Sequence, residues 1–139
     1  MPENELAKKL GFRMDQRICL LEAPVPSTTL LKEAMPARIQ LDEELQPGVR
    51  YDLILFWPRS LDGLPELFAS LQGCLQPDGA LWAVIPKVRF AGARGIHFTW
   101  EQMQAAGLTT DLVDNKSATI STEEYGTRFV IRKDRRPRA

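Results

Sequence analysis

The sequence predicts a single α/β domain whose sheet is mostly parallel. The first observation is that the apolar runs at 51–57 and 80–85 are continuous and do not alternate with polar residues, which is typical of strands buried on both faces. The second is that leucine and phenylalanine recur between these runs at the spacing of one helix face. Short turns join the three segments, so together they predict a right-handed parallel crossover.

Size and composition restrict the class of protein. A chain of 139 residues forms one domain that buries about two thirds of its unfolded surface, so no disulfide or metal is needed for stability. The 18 Lys and Arg residues balance 18 Asp and Glu residues, which leaves no net charge to attract nucleic acid or a membrane. No apolar run approaches the roughly 20 residues of a membrane span. Two cysteines and a charged start without a signal segment predict a reduced, cytoplasmic location.

The first half of the chain alternates helices and strands. Asn4 can cap a helix that Gly11 ends, and the apolar run at 17–22 predicts the first strand. Pro24 and Pro26 stop that strand because they cannot donate to a ladder. Next come a helix through Leu30, Leu31 and Ala34, capped by Ser27 or Thr28 and ended by Pro36, and a short second strand at 38–41.

In the central unit, Asp62 can cap the helix and the turn at 76–79 ends it. The stripe of that helix consists of Leu64, Leu67, Phe68, Leu71 and Leu75. The segment 87–95, rich in small residues and cations, is predicted to be a loop.

The last part of the chain predicts a helix and a hairpin. Thr99 and Gln102 have capping-box spacing, so a helix begins at Trp100 and ends at Gly107, with Leu108 packing back in a Schellman motif. Strands at 112–120 and 125–132 form an antiparallel pair. We expect the Arg17, Tyr51 and Ala80 strands to be adjacent and parallel, and the Tyr125 strand to lie antiparallel beside the Ala80 strand. The α/β domain is predicted to span residues 1–132 and to be followed by a basic, disordered tail at 133–139.

The order of the predicted elements and three segments along the chain resemble a class I methyltransferase. The segments are the strand Tyr51-Asp52-Leu53-Ile54-Leu55 with an acid near its start, the turn Leu75-Gln76-Pro77-Asp78-Gly79 and the helix end Gly107-Leu108. The resemblance implies a Rossmann-like, methyltransferase-like fold. More narrowly, the chain resembles a family of small bacterial proteins known only as a domain of unknown function. The residues that carry this resemblance are Leu10-Gly11-Phe12, Gln16-Arg17-Ile18, Pro24, Pro86-Lys87, Gly107-Leu108-Thr109, Lys116 and Arg128-Phe129-Val130-Ile131-Arg132. That family implies no established activity.

The chain departs from the methyltransferase pattern at the cofactor loop. A glycine-rich loop normally follows the first strand, because side chains would block close approach of the backbone to S-adenosylmethionine. Here residues 22–27 contain no glycine, and passing directly from Leu41 to the Tyr51 strand leaves no room for the usual third strand. We therefore expect no bound cofactor. If S-adenosylmethionine did bind, Glu22 and Asp42 are the acids placed to hold it, and Asp42 and Glu43 lie about where a ribose-binding acid would fall.

Candidate ligand-binding residues are Glu22, Pro24, Trp57 and Lys87. Ligands of open α/β sheets bind at the carboxyl ends of parallel strands, and these residues follow three such strands. Lys87 can meet an anionic group or extend into water, and Trp57 can stack on a planar ligand or belong to the core. Glu22 and Lys87 can also form a structural ion pair.

Other chemistries lack support in the sequence. His97 is the single histidine, which argues against a metal cluster, and no nucleophile has a recognisable base or elbow. The first hypothesis is a ligand-binding or protein-interaction module without methyl transfer, able to form a homodimer through the hairpin or an exposed strand edge. The alternatives are a methyltransferase with an atypical cofactor loop and, with less support, a nucleic-acid contact by the basic tail. No membrane partner is expected.

Overall fold

The computed structural model describes residues 4–136 and shows one mixed sheet of six strands in the order β2-β1-β3-β4-β6-β5. As predicted, β3 is parallel to both β1 and β4, and β6 is antiparallel to both β4 and β5. β2 is parallel to β1. The elements are α1 Glu5–Leu10, β1 Arg17–Leu21, α2 Val25–Ala34, β2 Gln40–Asp42, β3 Tyr51–Phe56, α3 Leu64–Gln72, β4 Leu75–Pro86, α4 Val88–Ala91, α5 Trp100–Gly107, β5 Leu112–Thr119 and β6 Glu124–Ile131, with 3-10 turns at Gly92–Arg94 and Lys133–Arg135.

Apolar side chains of the central strands pack on both faces of the sheet. In β3, Leu53 and Leu55 belong to a core shared with α1 and α2, whereas Ile54 and Phe56 belong to a second core shared with α3 and α5. Because successive side chains point to opposite faces, a strand between two helical layers must be apolar throughout. This arrangement explains the continuous apolar runs. Within the described chain, β2 is the edge strand on its side of the sheet, in agreement with the prediction that the usual third strand is missing.

β4 is longer than the sequence predicts. Leu75 and the turn at 76–79 belong to the strand, because Leu75 pairs with Tyr51 before the register shifts by a bulge. Gly79 lies at that shift, where an added Cβ would be 2.9 Å from the carbonyl oxygen of Tyr51. Glycine is therefore needed here because the backbones of β3 and β4 approach each other closely at the bulge.

The N-caps of two helices and the C-terminal motif of a third also differ from prediction, whereas α5 begins at Trp100 and ends at Gly107 as predicted. α2 has Pro24 at its N-cap position, with no side-chain cap from Ser27 or Thr28, and the N-cap of α3 is Gly63 instead of Asp62. The capping box of Thr99 and Gln102 is present. Leu108, however, is 38% exposed and does not pack back against α5 in a Schellman motif.

The segment 87–95 is not an irregular loop. It forms α4 and a 3-10 turn that ends at Gly95, whose φ is 74°. Neither short helix contains a buried residue.

The free edge strand β5 contains a register irregularity between Asp114 and Lys116. At the C-terminus, the side chain of Arg136 donates a hydrogen bond to the carbonyl of Ile131 at 2.9 Å. The rest of the predicted tail, 137–139, lies outside the described residues. Among the helices of residues 4–136, none is long and apolar enough to cross a membrane.

Candidate functional site

A pocket of about 690 Å³ opens at the carboxyl ends of β1 and β3. β1 and β3 end there side by side, and the chain then leaves the sheet in different directions, toward α2 after β1 and toward α3 after β3. Its size falls in the usual range for small-molecule sites. The lining consists of Leu20, Leu21, Glu22, Ala23, Glu43, Glu44, Leu45, Phe56, Trp57, Pro58, Arg59, Ser60, Asp62, Leu64 and Leu67.

The structure brings together only part of the predicted ligand site. Glu22 and Trp57 line the pocket, whereas Pro24 and Lys87 do not. Pro24 lies beside Trp57 in a neighbouring cavity of about 310 Å³. Lys87 is the N-cap residue of α4, and its backbone N–H donates to the carbonyl of Glu123 at 2.7 Å. Glu22 and Lys87 form no ion pair with each other.

The turn after β1 is built without glycine. Glu22 has a φ of 56°, in the left-handed region that non-glycine residues rarely adopt, and it changes the chain direction directly after Leu21. Such a residue costs about 1–2 kcal/mol and must be held by its surroundings. Pro24 and Pro26 follow and supply no N–H groups to a ligand. The turn therefore contains no glycine, and two of its residues, Glu22 and Ala23, line the pocket.

Acidic side chains outnumber basic ones around the pocket. The lining contains four carboxylates and one guanidinium, that of Arg59. Carboxylates accept hydrogen bonds from hydroxyl groups and attract cations. The carboxylate side of the pocket, formed by Glu22, Glu43, Glu44 and Asp62, could therefore bind hydroxyl or cationic groups of a ligand, although Glu43 already has a cation nearby, Lys32 Nζ at 3.9 Å.

Asp42, the second acid expected to hold a cofactor, is engaged elsewhere. It accepts hydrogen bonds from the Tyr51 hydroxyl at 2.7 Å and from Arg17 Nη2 at 2.8 Å. Both partners are the first residues of their strands, and Asp42 is not among the residues that line the pocket. Its successor Glu43 lines the pocket instead. These hydrogen bonds, first that of Tyr51 and then that of Arg17, lower the pKa of Asp42.

We expect the Asp42 network to make stability depend on pH. Because the pKa of Asp42 is lowered in the folded state, its ionised form stabilises the fold above about pH 4, the ordinary value for an unfolded chain, and this contribution is lost as pH falls through the lowered pKa. Asp42→Asn should cost about 1–3 kcal/mol at pH 7 and progressively less as the pH is lowered below about 4. Urea unfolding measured at pH 7 and at a series of lower pH values gives this dependence. Asp62→Asn, at an exposed acid, is the control; a cost of Asp42→Asn that does not change with pH would contradict the expectation.

Glu124 is a buried acid that sequence reasoning placed in a hairpin turn. It is the first residue of β6, opposite Pro86 of β4, and only 2% exposed. Its carboxylate accepts hydrogen bonds from Ser27 Oγ at 2.6 Å, Trp57 Nε1 at 3.1 Å and Arg94 Nη2 at 2.7 Å. One carboxylate thus fixes the orientation of the tryptophan that lines both cavities. The partners are distant in sequence, so no local pattern could reveal the cluster.

Nucleophilic and metal chemistry find no support in residues 4–136. Burial raises the pKa of Cys19 to about 12, so its thiol is protonated and inert at neutral pH. His97 is exposed. No group of three His, Cys, Asp or Glu side chains in the described chain is placed to hold a metal ion.

No protein-family model and no curated protein sequence matches the chain. Solved structures do. The PH0226 protein of Pyrococcus horikoshii has a TM-score of 0.61 at 10% identity, covering 91% of this chain and 86% of that one. A TehB-like SAM-dependent methyltransferase of Corynebacterium glutamicum has a TM-score of 0.60 at 11% identity, covering 91% and 87%. The N-methyltransferase NodS of Bradyrhizobium japonicum has a TM-score of 0.58 at 13% identity, covering 90% and 91%.

At sequence identities this low, the structural likeness shows the fold and not the activity. The narrower resemblance to a small bacterial family stays a prediction. The order and directions of the strands, the pocket at their carboxyl ends and the likeness to these structures together show that the chain has the Rossmann-like fold of class I SAM-dependent methyltransferases.

Proposed function

We propose that this domain binds a small organic molecule in the carboxyl-edge pocket and does not transfer a methyl group. The observation that carries the proposal is the combination of a well-formed pocket of about 690 Å³ with a turn after β1 that contains no glycine. Apolar and aromatic walls with a few polar groups are typical of ligand sites. Trp57, which Glu124 holds by a hydrogen bond, is only 5% exposed and packs in the core, so it forms part of the pocket wall and leaves little ring surface for stacking.

The turn after β1 argues against S-adenosylmethionine as that ligand. Close approach of the cofactor needs a backbone without side chains and with free N–H groups. Glu22 holds a strained left-handed conformation there, and Pro24 and Pro26 lack the donors. Positions 24 and 26 therefore offer a ligand no backbone hydrogen bond.

A methyltransferase remains the second candidate function. It is favoured by the likeness in fold to SAM-dependent enzymes and by Glu43, which follows β2 and lines the pocket, where its carboxylate could accept hydrogen bonds from a ribose diol. Under this alternative, Glu22 and Glu43 would be the cofactor-binding acids, because Asp42 is occupied by Arg17 and Tyr51.

Calorimetric titration separates the two functions. We expect neither S-adenosylmethionine nor S-adenosylhomocysteine to show saturable binding at micromolar concentration. A dissociation constant near 10 micromolar, about 7 kcal/mol of binding free energy, would overturn the proposal in favour of the enzyme.

A thermal-shift panel of nucleosides and small amines tests the binding role itself, because a ligand of the native state raises the melting temperature. A compound bound at the carboxylate side should lose its effect in Glu43→Gln and keep it in Glu33→Gln, an equal change of charge at an exposed position of α2 outside the pocket. Equal loss in both variants would contradict the assignment of the site.

A further inference from the structure

A second cavity adjoins the pocket at the carboxyl end of β4. Its volume is about 310 Å³, and it shares Trp57, Pro58 and Arg59 with the larger pocket. The remaining lining residues are Pro24, Val84, Pro86, Arg94 and Ile96. The two cavities therefore form neighbouring compartments along one edge of the sheet.

The charges of the two compartments are opposite. The lining of the smaller cavity contains two guanidiniums, those of Arg59 and Arg94, and no carboxylate. Glu124 lies behind Arg94 and neutralises one of these charges through the 2.7 Å ion pair. One net positive charge remains at the cavity, in contrast to the acidic carboxylate side of the larger pocket.

Both arginines retain hydrogen-bond donors. A guanidinium has five N–H groups, and Arg94 uses its Nη2 for Glu124. Its side chain is 29% exposed, and the ion pair fixes its position. Arg59 is exposed and makes no side-chain hydrogen bond or ion pair with any other residue in the range 4–136. Planar forks of this kind match carboxylate and phosphate oxygens.

Prolines leave anion recognition to these side chains. Pro24, Pro58 and Pro86 follow or end the three parallel strands β1, β3 and β4, and all three line the small cavity. Proline has no N–H group, so the backbone donors that usually bind anions at this edge of an α/β sheet are reduced. The indole N–H of Trp57 is engaged with Glu124.

We propose that the small cavity is an anion site, in which Arg59 and Arg94 bind a carboxylate or phosphate group. This inference deepens the proposed function and rests on it in one respect: if one ligand fills both compartments, it carries hydroxyl or cationic groups at one end and the anionic group at the other. The anion site itself can be tested without that ligand.

The test is an NMR titration of the uniformly ¹⁵N-labelled protein with inorganic phosphate and, separately, with acetate, at constant ionic strength. We expect saturable shifts of the Arg59 and Arg94 Nε–H signals and of the Trp57 indole signal, with a dissociation constant on the order of millimolar. Saturation by phosphate alone or by acetate alone identifies the group; either result supports the site.

Variants make the test specific. Arg59→Gln should weaken binding of the saturating anion at least fivefold without unfolding the domain, because Arg59 is exposed and has no partner among the described residues. Arg89→Gln, an equal loss of charge at an exposed position of α4 outside the cavity lining, should leave it unchanged. Shifts that do not saturate, or that are equally reduced by both variants, would overturn the anion site. In that case the results of the S-adenosylmethionine titration and of the thermal-shift panel would still hold for the proposed function, because neither measurement probes Arg94.

Discussion

Replacing Trp82 with alanine is expected to destabilise the domain by about 3–5 kcal/mol, the range for removing a large aromatic side chain from a core. Trp82 lies at the centre of β4, is fully buried, and donates its indole N–H to the carbonyl of Leu10 at 3.2 Å. Gly126 of the neighbouring strand β6 packs directly against its ring, where an added Cβ would be 2.9 Å from a ring carbon. The cavity left by alanine would therefore be bounded by rigid sheet and could not collapse easily.

The measurement is the melting temperature together with urea unfolding. For a domain of this size we expect the melting temperature to fall by about 10–15 °C. Trp100→Ala is the matched control, because Trp100 is only half-buried and donates its indole N–H to Thr127 Oγ1 at 2.8 Å. A Trp82→Ala variant no less stable than Trp100→Ala would show that the packing around Trp82 contributes less than its burial indicates.

Replacing Glu124 with leucine is expected to cost about 2–4 kcal/mol, because it leaves a buried hydroxyl, an indole N–H and a guanidinium without their acceptor. These groups belong to Ser27, Trp57 and Arg94. The expected cost lies below the full range for a buried ion pair, since Arg94 can still reach water. Glu124→Gln keeps an acceptor oxygen and should cost less.

Chemical denaturation of Glu124→Gln, Arg94→Gln and the double variant gives the coupling between the two side chains. Glu123→Gln, one position earlier and exposed, should change stability by no more than about 0.5 kcal/mol. If the loss of stability in Glu124→Leu were also no more than about 0.5 kcal/mol, the hydrogen bonds of Glu124 to Ser27, Trp57 and Arg94 would not be what stabilises the carboxyl edge of the sheet.

Strand type and direction could be predicted because they depend on local apolar patterns. The continuous run at 51–56 requires burial on both faces, and the sheet order follows from short connections between such runs. The extension of β4 to Leu75 could not be predicted, since Pro77 and Gly79 are turn residues in any local reading. Pairing with Tyr51, which is distant in sequence, overrides that preference.

The candidate site was less predictable than the fold. The location of the pocket follows from topology, and Glu22 and Trp57 line it as the sequence suggested. The left-handed turn at Glu22 leaves no trace in composition. Glu124 was missed because its contacts depend on antiparallel register, which places it beside Pro86 at the carboxyl edge.

The irregularity in β5 bears on how copies of the folded protein behave at high concentration. A free edge strand offers unpaired N–H and C=O groups to any other exposed strand, and edge-to-edge pairing of this kind starts aggregation. With 18 acidic and 18 basic residues, the protein has almost no long-range repulsion to keep copies apart at neutral pH. The shift between Asp114 and Lys116 breaks the regular spacing of the edge, and the exposed side chains of Asn115 and Lys116 lie there. The irregular shape of this one strand, in place of net charge, therefore opposes edge-to-edge pairing at β5.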